Sequence, residues 1–140
     1  MNRPICTLII CCLLPAGLFA QALTKKEASQ SAIKSVSEFE TNMLDRKAKP
    51  KLESLTRYDA AGNLLEIKEL DNSGAVILHE SYEFNGEGQK ITEIQYEPDG
   101  KVKKKHVYKY LDGLRAERLT YDKNGTLITQ KKYVYEFHQK

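Results

Sequence analysis

Between residues 52 and 137, apolar or aromatic residues alternate with polar ones in short runs, and a glycine follows each of the first six runs. The glycines are 12 to 14 residues apart and are Gly62, Gly74, Gly88, Gly100, Gly113 and Gly125. Copies of a longer pattern start at Tyr58, Phe84 and Tyr110, at offsets of 26 residues, and a stub starts at Tyr135. Because alternation with a period of two is typical of strands, the segment is predicted to be a tandem repeat of β-hairpins.

The residues around each glycine predict the type of turn. Five of the six turns follow one pattern, as in Asp71-Asn-Ser-Gly74 and Asp122-Lys-Asn-Gly125. This pattern favours a type I turn, in which the first side chain accepts a hydrogen bond from the backbone two residues on and the glycine has a positive φ. The sixth turn, Leu111-Asp-Gly-Leu114, is one residue shorter, so it predicts a two-residue type I′ hairpin.

The runs between these turns predict a mainly β fold with seven strands. The strands are expected near residues 52–58, 63–70, 75–84, 89–96, 101–110, 114–121 and 126–137. Consecutive hairpins give an open, twisted, up-and-down antiparallel sheet. In the shorter strands, one set of equivalent apolar positions includes Leu65 and another includes Leu70. Strict alternation would place these two sets on opposite faces of the sheet. Either a bulge or a strand with two apolar faces would explain that mismatch.

The segment before the repeat has a helical period. Ala32, Val36, Phe39 and Met43 recur at spacings of four, three and four residues, and Thr24 with Glu27 forms a candidate capping box. We therefore expect one amphipathic helix over 23–47, packed on a face of the sheet. Residues 48–51 contain Pro50 and are predicted to be a linker.

The first 22 residues are predicted to be a signal peptide. Arg3 precedes an apolar run from Ile5 to Leu14, which ends before an Ala20-Gln-Ala22 cleavage site. A lipoprotein signal at Cys11 or Cys12 is the less favoured alternative. The protein is therefore expected to be exported, with the membrane involved only through export, and its final compartment stays open.

Two tyrosine-aspartate motifs carry a family resemblance. Tyr58-Asp-x-x-Gly62-x-Leu64 and Tyr121-Asp-x-x-Gly125-x-Leu127 resemble the tyrosine-aspartate (YD) repeats of the Rhs family, over roughly residues 55–137. The resemblance implies β-hairpins but no catalytic residues, and seven strands are too few for the toxin-enclosing shell of Rhs proteins. The whole chain is also similar to small exported bacterial proteins filed as families of unknown function, which implies a fold and a compartment only.

Composition excludes several functions. All three cysteines lie in the predicted signal, so the mature chain is expected to have neither a disulfide nor a cysteine-ligated metal. Without Arg3 the charge is 21 basic against 19 acidic residues, a balance that disfavours nucleic acid as a partner. The scattered histidines, His79, His106 and His138, have no metal-ligand spacing. No cofactor is predicted.

Glu80 and His106 are the only candidates for acid-base chemistry that stand out, and no nucleophile motif accompanies them. The protein is therefore predicted not to be an enzyme, and a hydrolase built on these two residues is the weakest hypothesis. Their positions on successive copies also fit a cross-strand charge ladder.

The remaining candidate surface consists of Tyr82, Tyr108, Tyr133 and His106. The three tyrosines form one column, in which neighbours are about 9 to 10 Å apart. If the helix covers the column, the tyrosines are core residues, which is the favoured interpretation; if not, they could bind a protein or a glycan. The sequence thus favours an exported, non-enzymatic binding or structural module of the cell envelope. The alternative is an immunity-type inhibitor of a secreted enzyme. The oligomeric state stays open.

Overall fold

A computed structural model describes residues 22–138, and within this range the chain forms one antiparallel sheet of eight strands in sequence order. The predicted signal peptide lies, except for Ala22, outside the described residues. The elements are α1 (Lys25–Gln30), β1 (Ser35–Glu40), β2 (Lys51–Tyr58), β3 (Leu64–Leu70), β4 (Val76–Phe84), β5 (Lys90–Tyr96), β6 (Val102–Leu111), β7 (Leu114–Asp122) and β8 (Leu127–Lys132). The predicted mainly β antiparallel meander is confirmed, but it has eight strands and not seven.

The prediction of a helix over 23–47 is wrong. The capping box is present, because Thr24 accepts from the Glu27 amide while the Glu27 side chain accepts from the Thr24 amide. The helix nevertheless ends at Gln30. The Ile33 amide bonds to the Ala28 carbonyl and the Ala32 amide to the Ser29 carbonyl, which together form a Schellman C-cap. Ala32 has φ 50°, at the position that usually holds glycine, so no residue type marks the end of the helix there.

Residues after this cap form strand β1 instead of a second stretch of helix. Val36 and Glu38 pair with Thr56 and Ser54 of β2. Ser35–Glu40 also alternates between two faces, so tertiary pairing overrides the helical spacing of its apolar residues. Phe39, expected to face the sheet, is 62% exposed. The predicted linker 48–51 is also too short, because residues 41–50 connect β1 to β2 and Lys51 belongs to β2.

The turns form as predicted. At Gly62, Gly74, Gly88, Gly100 and Gly125 the glycine amide bonds to the carbonyl three residues earlier, and each glycine has a positive φ. Asp122 shows the side-chain contribution, since its Oδ1 accepts from the amides of Asn124 and Thr126. These bonds, led by the one from Thr126, lower the pKa of the Asp122 carboxyl. In the sixth turn Asp112 and Gly113 both have positive φ, 51° and 78°, as a type I′ turn requires.

A bulge lies directly beside each of the five four-residue turns. The register shifts next to the last residue of β2, β3, β4, β5 and β7. A further shift between Lys109 and Tyr110 lies near the type I′ turn. The bulge predicted as one explanation of the mixed parity is therefore present. The last strand ends at Lys132, short of the predicted residue 137.

The sheet is a single layer, and polar residues make up much of its buried part. Because directly paired residues share a face, the register defines a tyrosine face, which carries Thr56, Tyr82 and Tyr108, and an opposite face, which carries Leu55, His79 and Val107. Among the described residues the buried apolar ones are Ala28, Tyr58, Ile67 and Tyr108. This sheet is therefore covered mainly by long side chains that lie across its strands, and to a smaller extent by a second layer of secondary structure.

Helix α1 packs at one end of the sheet. The Leu23 amide donates to the Tyr58 hydroxyl at 2.8 Å, and Ala28 is buried. A Cβ added to Gly62 would lie 2.2 Å from the Lys25 carbonyl oxygen, so the helix rests directly on the β2–β3 turn. The expected covering of the tyrosine column by a long helix therefore does not occur.

Candidate functional site

The tyrosine column was the main candidate surface, and it is built into the sheet. Tyr108 is buried, and Tyr82 and Tyr133 are partly exposed. The Tyr82 hydroxyl donates to Glu80 Oε2, and the Tyr108 hydroxyl donates to Glu93 Oε2 at 3.0 Å. Two of the three hydroxyls are therefore engaged, one by a carboxylate of the same strand and one by a carboxylate of the neighbouring strand, and the column is not a free aromatic strip.

Two cations separate the tyrosines of the column. Lys90 Nζ lies 5.0 Å from the centre of the Tyr82 ring and 5.4 Å from that of Tyr108. Arg115 Cζ lies 4.4 Å from the centre of the Tyr108 ring and 6.0 Å from that of Tyr133. An alternating order of tyrosine and cation results, and each such contact contributes about 0.5–1 kcal/mol where it is partly exposed.

The bulges explain why the sequence missed these cations. Simple alternation puts Lys90 and Arg115 on the face opposite Glu93 and Tyr108. The register shifts at Phe84–Lys90 and Tyr110–Arg115 bring them to the tyrosine face instead. Both residues occupy the same position of the repeat, just after a hairpin turn. This shared position is the feature of the sequence from which the two cations could have been identified.

Carboxylates complete the network on the tyrosine face. Glu93 Oε2 accepts from Lys90 Nζ at 2.6 Å as well as from Tyr108. Burial alone would raise the pKa of Glu93, but the bond to Lys90 and its charge outweigh burial and lower that pKa. Burial, with the Glu93 charge, raises the pKa of Tyr108 to about 12. At neutral pH Glu93 is thus ionised and Tyr108 is uncharged.

His106 and Glu80 share no hydrogen-bond partner among the described contacts. His106 is buried, its Nδ1 lies 2.9 Å from Thr120 Oγ1, and burial lowers its pKa despite the Glu93 charge. Glu80 accepts from Tyr82 and from Gln95 Nε2. Strand β5 lies between their strands, which separates the two backbones by about 9 to 10 Å. The structure therefore does not bring this predicted pair together as a hydrogen-bonded dyad.

His79 lies on the opposite face in another ionic cluster. Its Nε2 lies 2.8 Å from Glu66 Oε1, and its ring stacks on Tyr96 with centroids 4.4 Å apart. Within residues 22–138 no group of three His, Cys, Asp or Glu side chains is placed to hold a metal ion. Among the same residues no helix is long and apolar enough to cross a membrane.

The two edges of the sheet are its most open features. All six residues of β8 are exposed, including Leu127 and Ile128, each 50% exposed. In the described part of the chain, β8 pairs only with β7 and β1 pairs only with β2. Each edge therefore presents a row of backbone groups that no described strand satisfies.

No known family model matches this chain, and no curated protein sequence does either. The resemblance to tyrosine-aspartate repeats thus rests on the residues alone.

Proposed function

We propose that this protein is an exported, non-enzymatic binding module of the cell envelope, whose partner is a protein that adds a strand to edge β8. The observation that carries this proposal is the exposure of all six residues of β8 at the open side of the sheet. An extended segment that joins such an edge gains main-chain hydrogen bonds, and side-chain contacts then give specificity.

The backbone of β8 is arranged for such an addition. The Tyr133 amide donates to the Ala116 carbonyl, so Tyr133 is in a hydrogen-bonded pair with β7. Hydrogen-bonded and non-hydrogen-bonded pairs alternate in an antiparallel ladder. Lys131 and Thr129 therefore bond to β7, while the amides and carbonyls of Gln130 and Lys132 point away from the sheet.

The tyrosine face supports a glycan less well. A sugar that stacks on an aromatic ring needs a free ring face and adjacent free polar groups. Lys90 and Arg115 occupy positions over the Tyr82 and Tyr108 rings, and the two hydroxyls already donate to glutamates. The network stabilises the sheet, and the open edge is left for recognition.

The separate hydrogen-bond partners of Glu80 and His106 support a non-enzymatic role. A general acid-base pair needs both groups within reach of one substrate, and here each side chain has its own partners on its own strands.

In-cell photo-crosslinking tests the proposal. A photoreactive amino acid at Gln130, on the open edge, is expected to give a discrete adduct with a protein. The matched control places it at Glu83, which is also exposed but lies in the interior strand β4. Gln130→Pro, combined with the probe at Lys132, should remove the adduct, because proline eliminates an outward-pointing amide without breaking a bond to β7. Equal labelling from both positions, or an adduct that survives Gln130→Pro, would refute strand addition at β8.

A further inference from the structure

We infer that the strand added to β8 is β1 of a second copy of this chain, so that copies join head to tail into a continuous sheet. This inference rests on the proposed strand addition and names its partner. Four properties of the two edges support it: strand direction, backbone hydrogen-bonding parity, register and side-chain complementarity.

Strand direction permits the joint without distortion. The sheet has eight strands in sequence order and every neighbouring pair is antiparallel, so β1 and β8 run in opposite directions. A second copy placed beside β8 in the same orientation therefore presents a β1 that is antiparallel to β8. The alternation of directions continues unbroken from one copy to the next.

The backbone groups of the two edges also match. The Tyr58 amide donates to the Lys34 carbonyl, so Lys34, and by alternation Val36, bonds to β2. Ser35 and Ser37 therefore point their amides and carbonyls outward, as Gln130 and Lys132 do on β8. In the register derived below, the outward-pointing Phe39 and Ser37 of β1 face the outward-pointing Lys132 of β8 and Val134, which follows β8.

The repeat itself supplies the register. Ser54, Glu80 and His106 occupy equivalent positions on β2, β4 and β6, and they pair with Glu69, Gln95 and Thr120 on the next strand. Lys131 is the equivalent residue on β8. On the preceding strands, Glu38 of β1 corresponds to Glu93 of β5, since these residues pair with Ser54 and His106.

Continuing this register fixes the new pairs. Gln95 lies two residues after Glu93, and Glu40 lies two residues after Glu38, so Glu40 corresponds to Gln95. In the continued register Glu40 therefore lies opposite Lys131. Tyr133 then lies opposite Glu38, as Tyr82 lies opposite Glu93 within the chain. Lys132 lies opposite Phe39 on the other face of the sheet.

Charge is complementary in that register. Strand β1 carries Glu38 and Glu40 without a basic residue, and β8 carries Lys131 and Lys132 without an acidic one. Glu40 and Lys131 lie directly opposite each other across the joint. Opposite charges directly across an antiparallel pair stabilise it.

Helix α1 does not obstruct the joint. Leu23 bonds to Tyr58 and α1 rests on the Gly62 turn, and both contacts lie on the inner side of β1. Because β8 and β1 are different surfaces, the contact is heterologous and forms rings or open filaments, unlike a closed two-fold dimer.

Two edge-blocked variants test this inference in the processed protein, purified alone. Lys132→Pro removes the outward-pointing amide opposite Phe39, so it blocks β8 and leaves β1 free, whereas Ser37→Pro blocks β1 and leaves β8 free. In sedimentation equilibrium we expect wild type to form dimers and larger species as concentration rises, and each variant alone to stay at the monomer mass. An equimolar mixture of the two variants should give a species of twice that mass and nothing larger.

Other outcomes overturn the inference and separate it from the proposed function. If Ser37→Pro still dimerises alone, β8 pairs with itself. If wild type stays monomeric at every concentration while the Gln130 probe gives an adduct with a different protein in cells, strand addition stands and self-assembly fails. If neither association nor an adduct is found, both proposals fail.

Engineered cysteines give a readout that does not depend on proline. The processed protein has no other cysteine if cleavage follows Ala22. Phe39→Cys with Lys132→Cys should form disulfides between copies under mild oxidation, since directly paired residues have Cα atoms about 5.5 Å apart. Phe39→Cys with Lys131→Cys is the control, because Lys131 faces the other side of the sheet and should not cross-link. Equal cross-linking of both pairs would refute the register.

Discussion

The contact between helix α1 and the β2–β3 turn can be tested by adding one methyl group. Gly62 and Gly74 occupy equivalent type I turns at the two ends of β3, with φ of +80° and +86°. In both, an alanine must adopt a left-handed conformation, which costs about 1–2 kcal/mol. The two glycines differ in their surroundings. A Cβ at Gly74 meets nothing within 4 Å, whereas one at Gly62 would lie 2.2 Å from the Lys25 carbonyl oxygen and 2.9 Å from the Ser29 nitrogen.

Both obstructing atoms at Gly62 belong to the helix backbone, so a side-chain rotation cannot relieve the clash. Either the turn or α1 must move by roughly 1 Å, which loosens the packing of buried Ala28 and the bond between Leu23 and Tyr58. Loss of that hydrogen bond costs about 1 kcal/mol, and exposure of one or two methylene-sized areas costs about 1–2 kcal/mol more. We therefore expect Gly62→Ala to lower the free energy of unfolding by about 3–5 kcal/mol, against about 1–2 kcal/mol for Gly74→Ala.

Urea denaturation of wild type and both variants, followed by circular dichroism, measures the difference. Tyr58→Phe should add little to Gly62→Ala, because both changes remove the same docking of the N-terminal segment. Equal losses of stability in Gly62→Ala and Gly74→Ala would show that α1 does not rest on this turn, and the reasoning would be refuted.

Three further predictions concern single groups. Ala32→Gly should raise the free energy of unfolding by about 1 kcal/mol in urea denaturation, because glycine adopts φ 50° without strain; unchanged stability would contradict the strain at this cap. Tyr108→Phe should cost about 2 kcal/mol, since its hydroxyl donates to a carboxylate, whereas Tyr110→Phe, whose hydroxyl donates to a neutral carbonyl, should cost about 1 kcal/mol; the reverse order in thermal and urea unfolding would oppose this assignment. Burial lowers the folded-state pKa of His106 below 6.5, so the unfolded chain takes up its proton first and stability falls as the pH drops below about 6.5. Urea titrations at pH 7.5 and 5.5 should show a smaller loss in His106→Gln than in wild type, and equal losses would argue against a buried neutral imidazole.

Local chemistry made the hairpins predictable. An Asp or Asn side chain at the first turn position and a glycine at the fourth act within five residues, so they determine the same turn in any context, as at Asp71 and Asp122. The type I′ turn at Asp112 and Gly113 was predictable for the same reason, because a loop of two residues with positive φ needs residues that tolerate that conformation.

The N-terminal segment and the side-chain network were not predictable in this way. Val36 and Phe39 fit a helical spacing, but β1 forms because its backbone groups hydrogen-bond to those of β2. This pairing is long-range, so no local sequence pattern indicates it. The Schellman cap at Ala32 lacks its usual glycine, so the end of α1 had no marker in the sequence. The bulges likewise moved Lys90 and Arg115 to the tyrosine face, where strict alternation does not put them.

The repeat, its turns and the up-and-down order of the strands could be read from the amino-acid sequence, because each depends on interactions among neighbours along the chain. Long-range pairing was needed to show that an eighth strand replaces the long helix, which face each side chain occupies and which strands are left at the edges. These features depend on register and on pairing between distant segments, where one bulge changes the face of a side chain and one added strand moves the edge of the sheet.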